Sequence, residues 1–111
     1  MIARMHLFIE LPPFTKACEY LLGDEALQEL QRFLSAHPDS GDVVPGTGGV
    51  RKLRWSRPGM GKRGGVRVLY YVQDEQGRIW LLTLYAKSQQ DNIGAEELHV
   101  LRRMADHAEI E

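Results

Sequence analysis

Half of the basic residues of this chain fall in one short stretch. Seven of its fourteen Lys and Arg residues lie between positions 51 and 67, and no Asp or Glu occurs between Asp42 and Asp74. Although the formal net charge is −1, the local field steers an anion more than the total charge does. We therefore interpret the stretch as a site that grips an RNA backbone. The seven residues are Arg51, Lys52, Arg54, Arg57, Lys62, Arg63 and Arg67.

The spacing within the stretch predicts how some of these cations converge. From position 50 to 55 the sequence alternates with period two, so Lys52 and Arg54 point to one side and Leu53 and Trp55 to the other. Successive side chains on one face of a strand stand about 7 Å apart, near the spacing of neighbouring phosphates. Arg67, on a neighbouring strand, can reach the same face. The alternative is a solvated edge strand whose cations prevent aggregation.

Cleavage of RNA by attack of the ribose 2′-OH on its own 3′-phosphate has three requirements. The phosphorane charge must be stabilised, a proton accepted and another donated to the leaving 5′-oxygen. Arginines supply the first, and a lysine flanked by cations can have a pKa low enough for proton transfer. Tyr85 and Lys87, at the end of the most strongly β-forming segment, could complete such a site, although Tyr85 can equally be a residue at the rim of the core.

Other chemistries lack their residues. The glycine-rich loop from 57 to 65 has Arg63, not Ser or Thr, after Lys62, so it does not match a phosphate-binding P-loop. The four histidines are scattered and none lies in the basic stretch, and there is no cysteine pair for zinc. We therefore expect no metal and no cofactor, and a ribonuclease without the usual histidine pair. The histidines are His6, His37, His99 and His107.

The elements that would position these residues belong to one domain, residues 1–111, since 111 residues leave no room for a second core. Apolar periodicity predicts an α+β fold of order β-α-α-β-β-β-α, with an antiparallel sheet and the helices packed on one of its faces. The strands are predicted at 5–11, 50–55, 66–73 and 78–87, and the helices at about 14–22, 25–37 and 94–104; residues 38–49 have the composition of turns.

The single cysteine, Cys18, excludes an intramolecular disulfide and fits a reducing compartment; its apolar neighbours predict a buried structural thiol. No apolar run approaches the roughly 18 residues that a membrane span needs, and no signal peptide is recognisable. We expect a cytoplasmic protein without membrane contact. Met1 and Met5 both remain possible natural starts.

Three segments together resemble the RelE/HigB family of type II toxin–antitoxin toxins. They are GTGGVRK at 46–52, GKRGGVRVLYY at 61–71 and LLTLYAK at 81–87. The resemblance covers nearly the whole chain and implies a RelE-like fold. It also implies a ribosome-dependent endonuclease (an mRNA interferase) that cleaves translated mRNA in the ribosomal A site and so inhibits translation.

The resemblance also assigns roles and partners. Lys52, Arg54 and Arg67 match the basic catalytic strands of the family, and Tyr85 and Lys87 match the end of its last long strand. Lys62 and Arg63 fall in a loop that would touch ribosomal or messenger RNA, and Arg51 and Arg57 are expected to add RNA contacts. The implied partner is a small antitoxin, often with a helix-turn-helix domain, through which alone the toxin would meet operator DNA.

Two departures from the family leave the general base open. Arg54 stands where some members carry lysine, and Ser88 stands where some carry arginine. Two other functions remain alternatives: a ParE-like inhibitor of DNA gyrase with the same topology, and a nucleic-acid-binding module without chemistry.

Overall fold

The helices and main strands follow one another in the predicted order. The structure, a computed structural model, describes residues 6–56, 65–87 and 93–108. The α+β class is confirmed, and so is the β-α-α-β-β-β-α order apart from one additional short strand, β2. The strands are β1 (Leu7–Glu10), β2 (Asp42–Val43), β3 (Arg51–Trp55), β4 (Val66–Gln73) and β5 (Arg78–Ala86), and the helices are α1 (Pro12–Leu21), α2 (Gly23–Ala36) and α3 (Ala95–His107).

The sheet is mixed, which corrects the prediction of a purely antiparallel one. Its strand order is β1-β5-β4-β3-β2. Strands β3, β4 and β5 form the expected antiparallel meander, whereas β1 lies parallel to β5. The added strand β2 pairs with β3 inside the segment predicted as turns. At two residues it is too short to show a period.

The helices cover both faces of the sheet, which corrects the prediction of a single covered face. Helices α1 and α2 pack through Phe14, Leu30 and Leu34 onto one face, which we call the first face. Helix α3 packs through Leu98 and Ala105 onto the other, the second face. Every residue of β5 from Ile79 to Ala86 is buried, as expected for a strand covered on both sides.

A β-bulge in β5 changes which side chains share a face. Leu69 is opposite Thr83 and Tyr70 is opposite Leu81, so Leu82 is the extra residue. As a result Leu84 joins the core of the first face and Tyr85 joins that of the second. Simple alternation along the strand, which would put Tyr85 on the face of Ile79 and Leu81, therefore fails beyond Leu81. The bulge turns Tyr85 toward the face that carries Arg67.

Cys18 lies in the core of the first face, with 7% of its surface exposed. Burial, followed by the nearby charge of Glu10, raises the pKa of its thiol to about 11. The prediction of a buried thiol is confirmed, and the raised pKa keeps it protonated at neutral pH. Among the described residues, no helix has both the length and the apolar character that a membrane span needs.

Candidate active site

The register of the sheet brings three of the predicted site residues into one row. Arg54 on β3 is directly opposite Arg67 on β4, and Arg67 is directly opposite Tyr85 on β5. Directly opposite side chains have Cβ atoms about 4.5–5.5 Å apart. The next row along the same face is Lys52, Leu69 and Thr83. The convergence of Lys52, Arg54 and Arg67 follows from this register.

The two arginines of the first row are placed at an energetic cost. Like charges directly opposite each other destabilise a sheet, and no acidic side chain in the described part of the chain forms an ion pair with Arg54 or Arg67. Arg54 is exposed and Arg67 is half-buried, so both guanidinium groups remain within reach of a ligand. An anion bound between them would relieve the repulsion.

A cleft of about 330 Å³ opens where β3 ends and β4 begins. Arg54 and Arg67 form part of its lining, and Trp55, Ser56 and Gly65 complete it. Trp55 and Ser56 were not among the predicted site residues, because alternation points Trp55 away from Lys52 and Arg54. Its ring does pack on Phe33 of α2, with the ring centroids 5.3 Å apart. The available signal was position, since both residues directly precede the basic loop.

Tyr85 ends the row on its β5 side, and Lys87 follows two residues later, just after the end of β5. Tyr85 is 6% exposed and packs in the core of the second face, so it has the character of a core residue as well as a place beside Arg67. Lys87 is exposed, and its backbone N–H donates to the carbonyl oxygen of Gly65, with 3.5 Å between nitrogen and oxygen. Lys87 therefore lies beside the cleft lining, two positions beyond the Arg67–Tyr85 pair.

Arg51 lies on the other face of β3. Its guanidinium donates to the carbonyl oxygens of Asp39, at 3.2 Å, and Gly41, at 2.7 Å, and lies 3.5 Å from the Asp39 carboxylate. It does not join the row of Arg54 and Arg67. The other predicted RNA contacts, Arg57, Lys62 and Arg63, lie outside the described residues.

Arg102 of α3, which was not among the predicted site residues, holds the helix on the second face. Its guanidinium lies 3.7 Å from the centre of the Tyr71 ring and donates to the Tyr71 hydroxyl at 2.8 Å. It also donates to the carbonyl oxygen of Gly48 and pairs with Asp106. Tyr71 is four residues along β4 from Arg67. Helix α3 therefore covers the second face near Tyr71, at a distance from Arg54 and Arg67.

The GTGG segment, residues 46–49, packs at the same end of the second face. Thr47 is fully buried, and its hydroxyl donates to the carbonyl oxygen of Val44 and accepts from the N–H of Val50. Gly48 and Gly49 have positive φ angles of 78° and 105°, a conformation that favours glycine. The segment folds into a turn that packs against Arg102 and Tyr71.

The fold and the row of cations define a small α+β protein with an exposed basic site, and comparison with known proteins gives its family. The family described as "RelE toxin of RelE / RelB toxin-antitoxin system" matches residues 24–110, well over half of the chain. The chain therefore belongs to the RelE family of toxins, which confirms the resemblance seen in the sequence.

A solved structure is similar over most of its length. An arginine-to-alanine double mutant of the E. coli toxin RelE, in the free state, superposes with a TM-score of 0.62 and 15% sequence identity. The match covers 88% of this chain and 97% of that one. At this identity the likeness establishes the RelE-like fold.

Proposed function

We propose that this toxin is a ribosome-dependent mRNA endonuclease that inhibits translation, using Arg54 and Arg67 to bind and activate the scissile phosphate. The observation that carries the proposal is the direct opposition of these two arginines, without an acidic partner in the described parts of the chain. A structural role would not require two cations to face each other across a ladder. A phosphate between them gives the arrangement a purpose.

The proposed reaction is attack of the ribose 2′-OH on the adjacent phosphorus. The 2′-oxygen forms a bond to phosphorus, the bond to the 5′-oxygen breaks, and the products are a 2′,3′-cyclic phosphate and a 5′-hydroxyl. Negative charge grows on the non-bridging oxygens in the transition state, where two guanidinium groups stabilise it more than in the ground state. Arg54 and Arg67 take this role.

Two proton transfers accompany the reaction, one from the 2′-OH and one to the leaving 5′-oxygen. Arginine cannot accept the first proton, because its pKa lies above about 12. Among the described residues, Lys52, Tyr85 and Lys87 are ionisable groups close to the two arginines. We assign the transfers to these three residues without dividing the two roles among them. A set without histidine is a weak general base, so correct positioning of the RNA contributes more of the rate. The ribosome would supply that positioning.

The family also supports a proposed partner. Its description pairs the toxin with a RelB antitoxin, and we propose a cognate antitoxin that neutralises this chain. Contact with operator DNA would come through that antitoxin. A gyrase inhibitor acting by protein contact would have no need of the opposed arginines.

The test is cleavage of a translated mRNA in a reconstituted translation reaction, followed by primer extension. Wild-type protein is expected to cut ribosome-bound mRNA, and the Lys52→Ala/Arg67→Ala double variant is expected to lose cleavage while still binding the antitoxin. Arg32→Ala/Arg103→Ala is the matched control, since it removes the same charge from exposed positions on α2 and α3. Equal cleavage by the two double variants, or growth arrest without any cut, would contradict the proposal.

A further inference from the structure

A second cavity lies at the carboxyl end of α2, on the first face. It has a volume of about 590 Å³ and is lined by Phe33, Ala36, His37, Pro38, Asp39 and Ser40. We call it the α2 groove. The RNA site proposed above uses the other face of β3 and β4, so this groove has no role in that proposal.

The wall of the α2 groove is fixed by side chains from β3 and β4. The Tyr70 hydroxyl donates to the carbonyl oxygen of Pro38 at 2.8 Å and accepts from the N–H of Gly41 at 2.9 Å. Arg51 donates to the carbonyl oxygens of Asp39 and Gly41. A Cβ at Gly41 would lie 2.9 Å from the Tyr70 ring, so only glycine fits here. The segment after α2 is thus held in one shape, as a binding site requires.

An aromatic bridge connects the groove with the cleft that holds Arg54 and Arg67. The His37 and Phe33 ring centroids are 5.1 Å apart, and those of Phe33 and Trp55 are 5.3 Å apart. Phe33 and His37 line the groove, and Trp55 lines the cleft. The two cavities therefore lie at the two ends of one run of rings. Proteins that bind single-stranded nucleic acids combine a cationic track with such aromatic surfaces.

The chemistry of the α2 groove differs from that of the cleft. It lies at the carboxyl end of a helix, the negative end of the helix dipole, and includes the Asp39 carboxylate. Both features disfavour a phosphate. Aromatic and aliphatic walls suit the flat ring of a nucleobase, and the Asp39 carboxylate, whose side chain is 77% exposed beside Arg51, can accept from the N–H groups of a base.

We propose that the α2 groove binds a nucleobase of the same single-stranded RNA whose phosphate lies between Arg54 and Arg67. The proposal rests on the proposed function, because the strand that enters the groove is the one that the cleft holds. His37 and Phe33 provide the stacking surface. Since stacking is tolerant of sequence, the groove adds affinity with any base, and the acceptors favour bases with exocyclic amino groups.

The test measures binding of a short 2′-O-methyl RNA, which cannot be cut by 2′-OH attack, and of the same oligomer with an abasic site moved along it position by position. Wild-type protein should bind the oligomer more weakly when one particular base, flanking the bound phosphate, is missing. His37→Ala should weaken binding of the intact oligomer roughly five- to tenfold, and should abolish the difference between intact and abasic oligomers. His99→Ala is the matched control, because His99 is also exposed and lies on α3.

The outcomes separate the groove from the cleft. If Arg67→Ala weakens binding of every oligomer while His37→Ala binds them all as the wild type does, the cleft holds RNA and the groove proposal is overturned. If Arg67→Ala has no effect on any oligomer, the proposed function fails instead. If His37→Ala weakens antitoxin binding and leaves RNA binding unchanged, the groove is a protein-docking site and the nucleobase proposal is again overturned.

Discussion

Four arginines of this small domain divide into two pairs that the protein treats in opposite ways. Arg51 and Arg102 are surrounded by acceptors: backbone carbonyl oxygens, the carboxylates of Asp39 and Asp106, and the Tyr71 ring. Arg54 and Arg67 face each other across the β3–β4 ladder and form no ion pair with the described residues. Arg51 and Arg54 belong to the same strand and are three residues apart.

The difference between the pairs distinguishes structural from functional charge. A guanidinium with several acceptors stabilises the fold, because hydrogen bonds to a charged group contribute about 1.5–3 kcal/mol each. Two guanidinium groups placed opposite each other reduce stability, and proteins keep such arrangements where function needs them. Three predictions follow the division, from the largest expected effect to the smallest.

Removing Arg54 or Arg67 should affect catalysis most. We expect Arg54→Ala or Arg67→Ala to lower the rate of mRNA cleavage on the ribosome by roughly 10²–10³-fold, the usual effect of losing one group that stabilises transition-state charge. Single-turnover cleavage of a programmed ribosome complex gives this rate. Arg102→Ala, from the other pair, serves as the control and should cleave at nearly the wild-type rate under conditions where it is folded. A comparable loss of rate in Arg102→Ala would break the division.

Arg54 and Arg67 should also account for the salt dependence of RNA binding. For single strands, log affinity falls with log salt concentration by about 0.7 per contacted phosphate. Two or three contacts therefore predict a roughly 7- to 20-fold loss between about 50 and 200 mM salt. Titration of a 2′-O-methyl oligomer should show a shallower slope for Arg54→Ala and an unchanged slope for Arg102→Ala. Equal slopes in both variants would place the phosphate contacts elsewhere.

Removing a paired arginine should affect stability. We expect Arg102→Ala to lower the free energy of unfolding by about 1–3 kcal/mol, because it loses the contact with the Tyr71 ring and leaves acceptors without a donor. Urea denaturation measures this change. Arg103→Ala, on an exposed position of the same helix, should change stability by no more than about 0.5 kcal/mol. If the two variants are equally stable, the contacts of Arg102 do not hold α3 in place.

Much of the site could be predicted from alternation along β3 and β4. Lys52 and Arg54 point to the opposite side of β3 from Leu53 and Trp55, and Arg67 of β4 points to the same side as Lys52 and Arg54. Alternation shows this because one side of these strands is more polar than the other. Alternation gave no such guidance in β5, where apolar residues fill both faces. The bulge at Leu82 therefore left no signal in the sequence, and alternation counted from Ile79 would put Tyr85 on the wrong face.

The partners of the arginines could not be predicted from local sequence. Arg51 was grouped with the RNA-binding cations because it belongs to the same dense stretch, and its acceptors Asp39 and Gly41 come from the loop after α2. The position of α3 on the second face likewise depends on Arg102 meeting Tyr71, 31 residues away. Such contacts follow from the tertiary fold, whereas charge density is visible in the sequence.

The most direct test of the central claim measures two quantities on one preparation of Arg67→Gln: the rate of mRNA cleavage on the ribosome and the free energy of unfolding. Glutamine keeps a polar side chain but removes the charge that opposes Arg54. The account predicts that cleavage falls at least about 100-fold while the free energy of unfolding stays the same or rises by up to about 1 kcal/mol. A variant that cleaves normally and unfolds more easily would show that Arg67 is there for the fold, and would contradict the account.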